Sequence, residues 1–108
     1  MQIKLTTTGR KTGKLRTTTL YAWERDDDLI VVGSWGGRPR DPDWAGNLRA
    51  EPMATVNRGK ESFEVEAREL HGREHELAWD LVVDRFPLYA SYQRKAERRI
   101  PLFVLRRP

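Results

Sequence analysis

The sequence contains no cysteine and only two histidines. The first absence excludes disulfides, thiolate metal centres and cysteine nucleophiles. It accords with a cytoplasmic setting, the localisation expected here. No apolar run approaches the roughly 18 residues of a bilayer span. The threonines that follow Lys4 and Leu5 stand where a secretory leader would carry its apolar stretch, so no leader is expected. A further absence is local. From Met1 to Trp23 there is no Asp or Glu, against the five cations Lys4, Arg10, Lys11, Lys14 and Arg16.

That one-signed stretch is where the chain places its clearest chemistry. Thr6-Thr7-Thr8-Gly9-Arg10-Lys11-Thr12-Gly13-Lys14-Leu15-Arg16 reads as two threonine-rich strands around a cationic turn, with Gly9 and Gly13 free to take positive φ. Hydroxyls, exposed amides and guanidinium groups together form a receptor for an anion such as a phosphate; a solvated hairpin tip is the plainer reading. Elsewhere the charge is mixed. The net charge of +4 comes from 20 basic and 16 acidic residues, a balance that favours anionic ligands but gives no reason to expect a nucleic-acid partner. A length of 108 residues supports one domain, residues 1–108, with one modest core.

Periodicity supplies the elements. Ile3 to Thr8 and Leu15 to Trp23 read as a hairpin, the second strand placing Leu15, Thr17, Thr19, Tyr21 and Trp23 on one face. Asp26-Asp27-Asp28 reads as a turn, because three adjacent acids repel within a regular element. Leu29-Ile30-Val31-Val32 is a continuous apolar run, expected as a central strand buried on both faces. It runs into Gly33-Ser34-Trp35-Gly36-Gly37, a loop in which backbone amides can approach a ligand. Asp41 is expected to cap a short helix with Pro42 in its first turn and Trp44 and Leu48 on its inner face. Ala54 to Asn57 is a strand. Phe63, Val65 and Ala67 alternate with Glu64, Glu66 and Arg68 in another. Arg73 to Phe86 turns helical, with Leu77, Ala78, Leu81, Val82 and Phe86 expected inside; Leu88 to Lys95 is a second helical piece, and Ile100 to Leu105 the last strand. The order β-β-β-α-β-β-α-α-β predicts a mainly β (α+β) fold, a six-stranded closed or split barrel with flanking helices.

Two familiar motifs are weak. His71-Gly72-Arg73-Glu74-His75 matches the H-x-x-E-H zinc peptidase pattern, but that chemistry also needs a third ligand and a sizeable cleft, and here the motif straddles a strand-to-helix junction of a small chain; both histidines and Glu74 read as exposed helix-start residues, and no metal is expected. Gly9 to Lys14 is one residue short of a P-loop, with Leu15 where Ser or Thr must hold magnesium. Tyr21, Trp35, Trp44, Tyr89 and Tyr92 fall beside loops and helix starts, and aromatic walls beside phosphate-binding groups suit a planar, anionic cofactor.

Taken in order, Leu5 to Gly13, Arg16, Leu20-Tyr21, Ser34-Trp35-Gly36-Gly37, Pro42-Asp43-Trp44 with Asn47-Leu48, Phe86-Pro87-Leu88-Tyr89 with Tyr92-Gln93, and Arg99-Ile100-Pro101 resemble the deazaflavin-dependent nitroreductases and quinone reductases, which use reduced coenzyme F420. The resemblance runs from about Lys4 to Arg107 and implies a flavin-type split β-barrel. It implies that Arg10, Lys11 and Thr12 bind the coenzyme's phosphate and acidic tail, and that Arg16, Thr17, Thr18, Thr19, Leu20 and Tyr21 run along its side chain and ring. Val32, Gly33, Ser34 and Trp35 would contact it from one side and Asp43, Trp44, Ala45, Gly46 and Asn47 from the other. Tyr89 and Tyr92 would line the substrate pocket, with Ser34 near the reacting centre. The implied activity is hydride transfer from reduced F420 to a quinone, nitroaromatic or activated alkene, in a monomer or homodimer, with peripheral membrane contact if the acceptor is a lipophilic quinone. The alternatives are a non-catalytic F420 carrier, an FMN-binding split barrel, and a small barrel that binds anions or nucleic acid. Trp35 stands where relatives commonly place lysine and Phe86 where tyrosine is frequent. The chain starts almost at its first strand, so a more open pocket is expected.

Overall fold

The threonine runs do form strands, because β-branched side chains suit a pleated, half-buried surface. In the computed structural model, which describes Met1–Pro108, β1 is Gln2–Thr8 and β2 is Leu15–Arg25. They pair from Thr8 opposite Leu15 to Gln2 opposite Tyr21, and Thr6 and Thr17 share a hydroxyl hydrogen bond of 2.8 Å. The turn closes through Gly9 N to Lys14 O and Gly13 N to Gly9 O, both 2.7 Å, and Gly13 takes φ +73°.

The later elements are β3 (Asp28–Val32), α1 (Asp43–Ala50), β4 (Met53–Arg58), β5 (Glu61–Glu69), α2 (Gly72–Arg85), α3 (Leu88–Ala96) and β6 (Leu102–Arg106). The strands close in the order β1-β2-β3-β6-β5-β4, with β4 returning to β1. The fold is the expected six-stranded antiparallel barrel with three helices. No helix is long and apolar enough to cross a membrane.

β3 and β6 explain why the core has two parts. Leu29, Val31, Phe103 and Leu105 point into the barrel with Ile3, Leu5, Val56 and Val65, and Trp44 and Leu48 of α1 close one end. The alternate residues Ile30, Val32, Leu102 and Val104 point outward and are covered by Ala78 and Val82 of α2 and Tyr89 and Ala96 of α3. A strand buried on both faces needs an unbroken apolar run, and these two carry one.

Four local expectations are corrected. Asp28 belongs to β3 rather than to a turn: it is buried, and Arg106 grips it through two hydrogen bonds of 2.9 and 2.8 Å. Asp41 caps no helix. Pro42 is the N-cap of α1, and Asp41 instead accepts from Arg98 at 2.6 Å and Arg49 at 2.9 Å. Leu77 is 52% exposed and Phe86 38% exposed, because α2 buries the face defined by His75, Ala78 and Val82, and Leu77 lies about 200° round from His75. His75 is therefore buried, and its Nε2 donates to Ile100 O at 2.9 Å; the carbonyl can only accept, so Nε2 carries the proton. His71 and Glu74 are exposed as expected.

Candidate functional site

β2 is the longest strand, and it changes partner part-way. Leu15 to Tyr21 pair with β1 on one edge, whereas pairing with β3 on the other begins only at Ala22. The free edge of Arg16 to Tyr21 forms one wall of a cavity of about 840 Å³, within the usual range for a small-molecule site. The β1–β2 turn forms a lip, α1 a second wall, the loop after β3 a third, and the start of α3 the far end.

Seventeen of the residues implied by the resemblance line this cavity: Arg10, Lys11, Thr12, Arg16, Thr17, Thr18, Thr19, Leu20, Tyr21, Val32, Ser34, Trp35, Asp43, Trp44, Asn47, Tyr89 and Tyr92. Three do not. Gly33 is turned to Pro101, donating to its carbonyl at 2.9 Å and leaving no room for a Cβ. Ala45 is fully buried in the barrel core. Gly46 lies beneath Arg10, whose Cζ would stand 2.8 Å from an added Cβ. Thr7, Gly9, Gly36, Pro42 and Phe86 also line the cavity. Thr7 was hidden within a uniform threonine run, and nothing local distinguishes it.

Arg10 does have an acidic neighbour, supplied by α1. Its guanidinium donates to Asp43 O at 3.0 Å and approaches the Asp43 carboxylate at 3.6 Å. Its Nη1 and backbone N–H both reach Asn47 Oδ1, at 2.9 and 3.1 Å. Asn47 is buried and spends its own N–H on Thr7 Oγ1 at 3.1 Å. Arg10 thus pins the cationic lip to α1, while Lys11 and Arg16 face the cavity without an ion pair.

The loop after β3 is held by one side chain. Arg98 donates to Gly33 O (3.3 Å), Ser34 O (3.1 Å) and Arg38 O (3.0 Å), and pairs with Asp41. Trp35, Gly36 and Gly37 are successive left-handed residues, with φ of 43°, 63° and 81°. Gly37 is obligatory, since a Cβ there would sit 2.9 Å from Tyr92 O. The Trp35 indole is covered by two cations, with Arg38 and Arg40 at 4.4 and 5.3 Å from its centroid.

The far wall is aromatic. Tyr21 and Trp23 rings lie 4.7 Å apart, and Tyr89 is flanked by Phe86 at 4.9 Å and Tyr92 at 6.3 Å. Trp23 Nε1 donates to the Tyr89 hydroxyl at 3.0 Å. Burial pushes the Tyr89 phenol above its ordinary value, the Trp23 hydrogen bond pulls it part of the way back, and Tyr92 and Tyr21 nearby push it up. At neutral pH the phenol is a proton donor rather than a phenolate. No cluster of three His, Asp or Glu side chains in the structure can hold a metal ion.

A closed six-stranded barrel whose cavity has a cationic lip and an aromatic wall is of the class suited to a planar anionic ligand. Comparison with known proteins makes the class specific. The family model described as F420H(2)-dependent quinone reductase matches residues 1–107. The F420H(2)-dependent quinone reductase Rv1261c of Mycobacterium tuberculosis is 38% identical over 106 residues, covering 95% of this chain and 71% of the relative. A solved F420-H2 dependent reductase, FDR-A, superposes with a TM-score of 0.85 at 40% identity, covering 96% of this chain and 92% of its own. A domain-swapped dimer gives a TM-score of 0.86, also at 40% identity, with 96% and 78% covered. The chain belongs to the F420H(2)-dependent quinone reductase family. It is an oxidoreductase, and its cofactor is coenzyme F420.

Proposed function

We propose that this chain transfers a hydride from reduced F420 to a quinone, and that nitroaromatics and activated alkenes are accepted by the same pocket. One observation carries the reading: a single cavity joins unpaired cations at one end to a wall of aromatic rings at the other. Lys11, Arg16 and Thr12 suit the phosphate and acidic tail, with Arg10 holding the lip in place and donating from its remaining N–H groups. Each charge-assisted hydrogen bond of this kind contributes about 1.5–3 kcal/mol. The free edge of Arg16 to Tyr21 and the indole of Trp44 support the ring system between them.

When bound, the reduced deazaflavin supplies the hydride from its ring carbon. The protein's part is position and exclusion of water. Ser34 is held by the Arg98 clasp, and Tyr89 and Tyr92 stand at the acceptor end with hydroxyls for developing charge on oxygen. Contact with a membrane enters this reading only through the acceptor, since a lipophilic quinone is taken from a bilayer surface; otherwise the setting is cytoplasmic. One structural relative is a domain-swapped dimer, and homodimerisation is proposed on that likeness alone.

Titration with F420, followed by its fluorescence, for the parent and for Lys11→Ala with Arg16→Ala tests the site. The parent is expected to bind and the double variant to bind far more weakly; equal affinity removes the site. Menadione-dependent oxidation of reduced F420 by the parent is then expected. Binding without turnover selects a carrier, and turnover with FMN in place of F420 keeps the fold and changes the enzyme.

A further inference from the structure

We infer that Trp23 is a positioning residue that turns the Tyr89 O–H into the cavity and so makes Tyr89, rather than Tyr92 or Ser34, the group that protonates the reduced acceptor. This rests on the reductase reading above.

An indole N–H is donor only, whereas a phenol oxygen both accepts and donates. The 3.0 Å contact between Trp23 Nε1 and Tyr89 Oη therefore has a fixed direction, indole to phenol oxygen. With its oxygen engaged as acceptor, the phenol must send its own proton elsewhere. The indole is the one hydrogen-bond partner the chain gives this hydroxyl, and Tyr89 lines the cavity. Tyr89 itself is only 6% exposed, and its ring is packed among Trp23, Phe86, Trp79 and Tyr92, so the hydroxyl is held. Tyr92 and Ser34 hydroxyls line the same space with no protein partner to orient them.

Trp23 is itself well placed by β2. It follows Tyr21 on the same face, just beyond the point where the strand leaves β1 for β3. Its ring thus abuts the aromatic wall from behind, while Tyr21 lines the cavity.

As a balance, two electrons and one proton reach the acceptor as hydride. The acceptor oxygen left with the negative charge takes a proton from Tyr89 Oη, breaking the O–H bond of the phenol and leaving a phenolate. The coenzyme is left oxidised, and water takes up the proton it sheds and restores the phenol. The Trp23 N–H stabilises the transient phenolate, since donation to the charged oxygen is stronger than to the neutral one.

The test begins without the coenzyme. Tyrosine labelled with carbon-13 at Cζ gives three resonances, those of Tyr21, Tyr89 and Tyr92, assigned by single Tyr→Phe changes. In Trp23→Phe the Tyr89 phenol is expected to titrate at higher pH than in the parent, because a donor to its charged form is gone. Should Trp23→Phe fold poorly, hydrogen exchange at the Trp23 indole N–H in Tyr89→Phe reads the same contact, and faster exchange is expected. With reduced F420 and menadione, Tyr89→Phe is expected to lower kcat on the order of a hundredfold, as loss of a general acid does. Trp23→Phe is expected to lower it roughly fivefold, the scale of one hydrogen bond, with a smaller change in KM and with the alkaline limb of the kcat profile moved up. The double variant should turn over like Tyr89→Phe alone. An unmoved Tyr89 titration, unchanged indole exchange, parent-like kcat in Tyr89→Phe, or an additive double variant each overturns the inference. A parent that neither binds nor oxidises reduced F420 overturns the functional reading and the proton-donor half with it, while the titration still decides the hydrogen bond.

Discussion

The two ends of β2 carry depressions of nearly equal size, about 840 Å³ beside its start and about 860 Å³ beside its end. Both are lined by cations, yet they differ in how many of those cations are already paired. At the far end Arg106 is bound to Asp28, and Arg58 and Arg107 both reach Glu61, with Glu24 3.9 Å from Arg58. The Arg107 guanidinium also covers the Phe63 ring at 3.8 Å. At the near end Lys11 and Arg16 are unpaired, and five aromatic side chains besides Trp44 line the space. Volume does not separate the two. Unspent charge beside aromatic surface does, because a cation already held by a carboxylate has little left to offer an incoming anion.

That contrast can be broken most sharply by mutation. Removing Lys11 and Arg16 together should weaken F420 binding by a factor on the order of a thousand, at about 1.5–3 kcal/mol per charge-assisted bond. The matching pair Arg58→Ala with Arg107→Ala should leave affinity within about twofold; fluorescence titration reads both. Next in size is the clasp. Arg98→Ala strips donors from Gly33, Ser34 and Arg38 carbonyls and frees Asp41 from one partner, and is expected to cost about 2–3 kcal/mol in urea unfolding. Arg98→Lys should recover little, because an ammonium cannot span the fork. Gly37→Ala forces a side chain into φ +81° against Tyr92 O and should cost about 1–3 kcal/mol while raising KM for the acceptor.

The smallest effect belongs to the far end. The Arg106 hydrogen bond holds the Asp28 carboxyl below its ordinary value, and away from that end the Arg49 hydrogen bond does the same for Glu69. Both groups are depressed in the folded state. Their contribution to stability is present above the ordinary carboxylate range, near about pH 4, and is lost as pH falls through the lowered values. Asp28→Asn should flatten the acid limb of a thermal-unfolding profile without changing F420 affinity.

Local pattern carried much of this. Alternation and apolar runs located all six strands, because a strand's faces repeat every two residues and β3 and β6 are buried on both. The cationic lip was legible because no acid is near it in the chain. What escaped is long-range. Asp43 reaches Arg10 across 33 residues, Asp41 reaches Arg98 across 57, and Trp23 reaches Tyr89 across 66. No periodicity encodes such pairs; they exist only once β1, α1 and α3 are brought to one end of the barrel. The face of α2 was misread for a related reason. Leu77 looked a better core residue than His75 on polarity alone, but Ile100 O gives the histidine a buried partner that leucine does not need.

Unpaired positive charge at the β1–β2 lip is proposed to grip the acidic end of the coenzyme. A crystal structure with F420 bound tests it directly. Phosphate or carboxylate oxygens are expected within about 3 Å of Lys11 and Arg16 nitrogens, with the ring along Arg16 to Tyr21. An acidic tail seated in the groove of Asp26, Arg58 and Arg107 instead would contradict it.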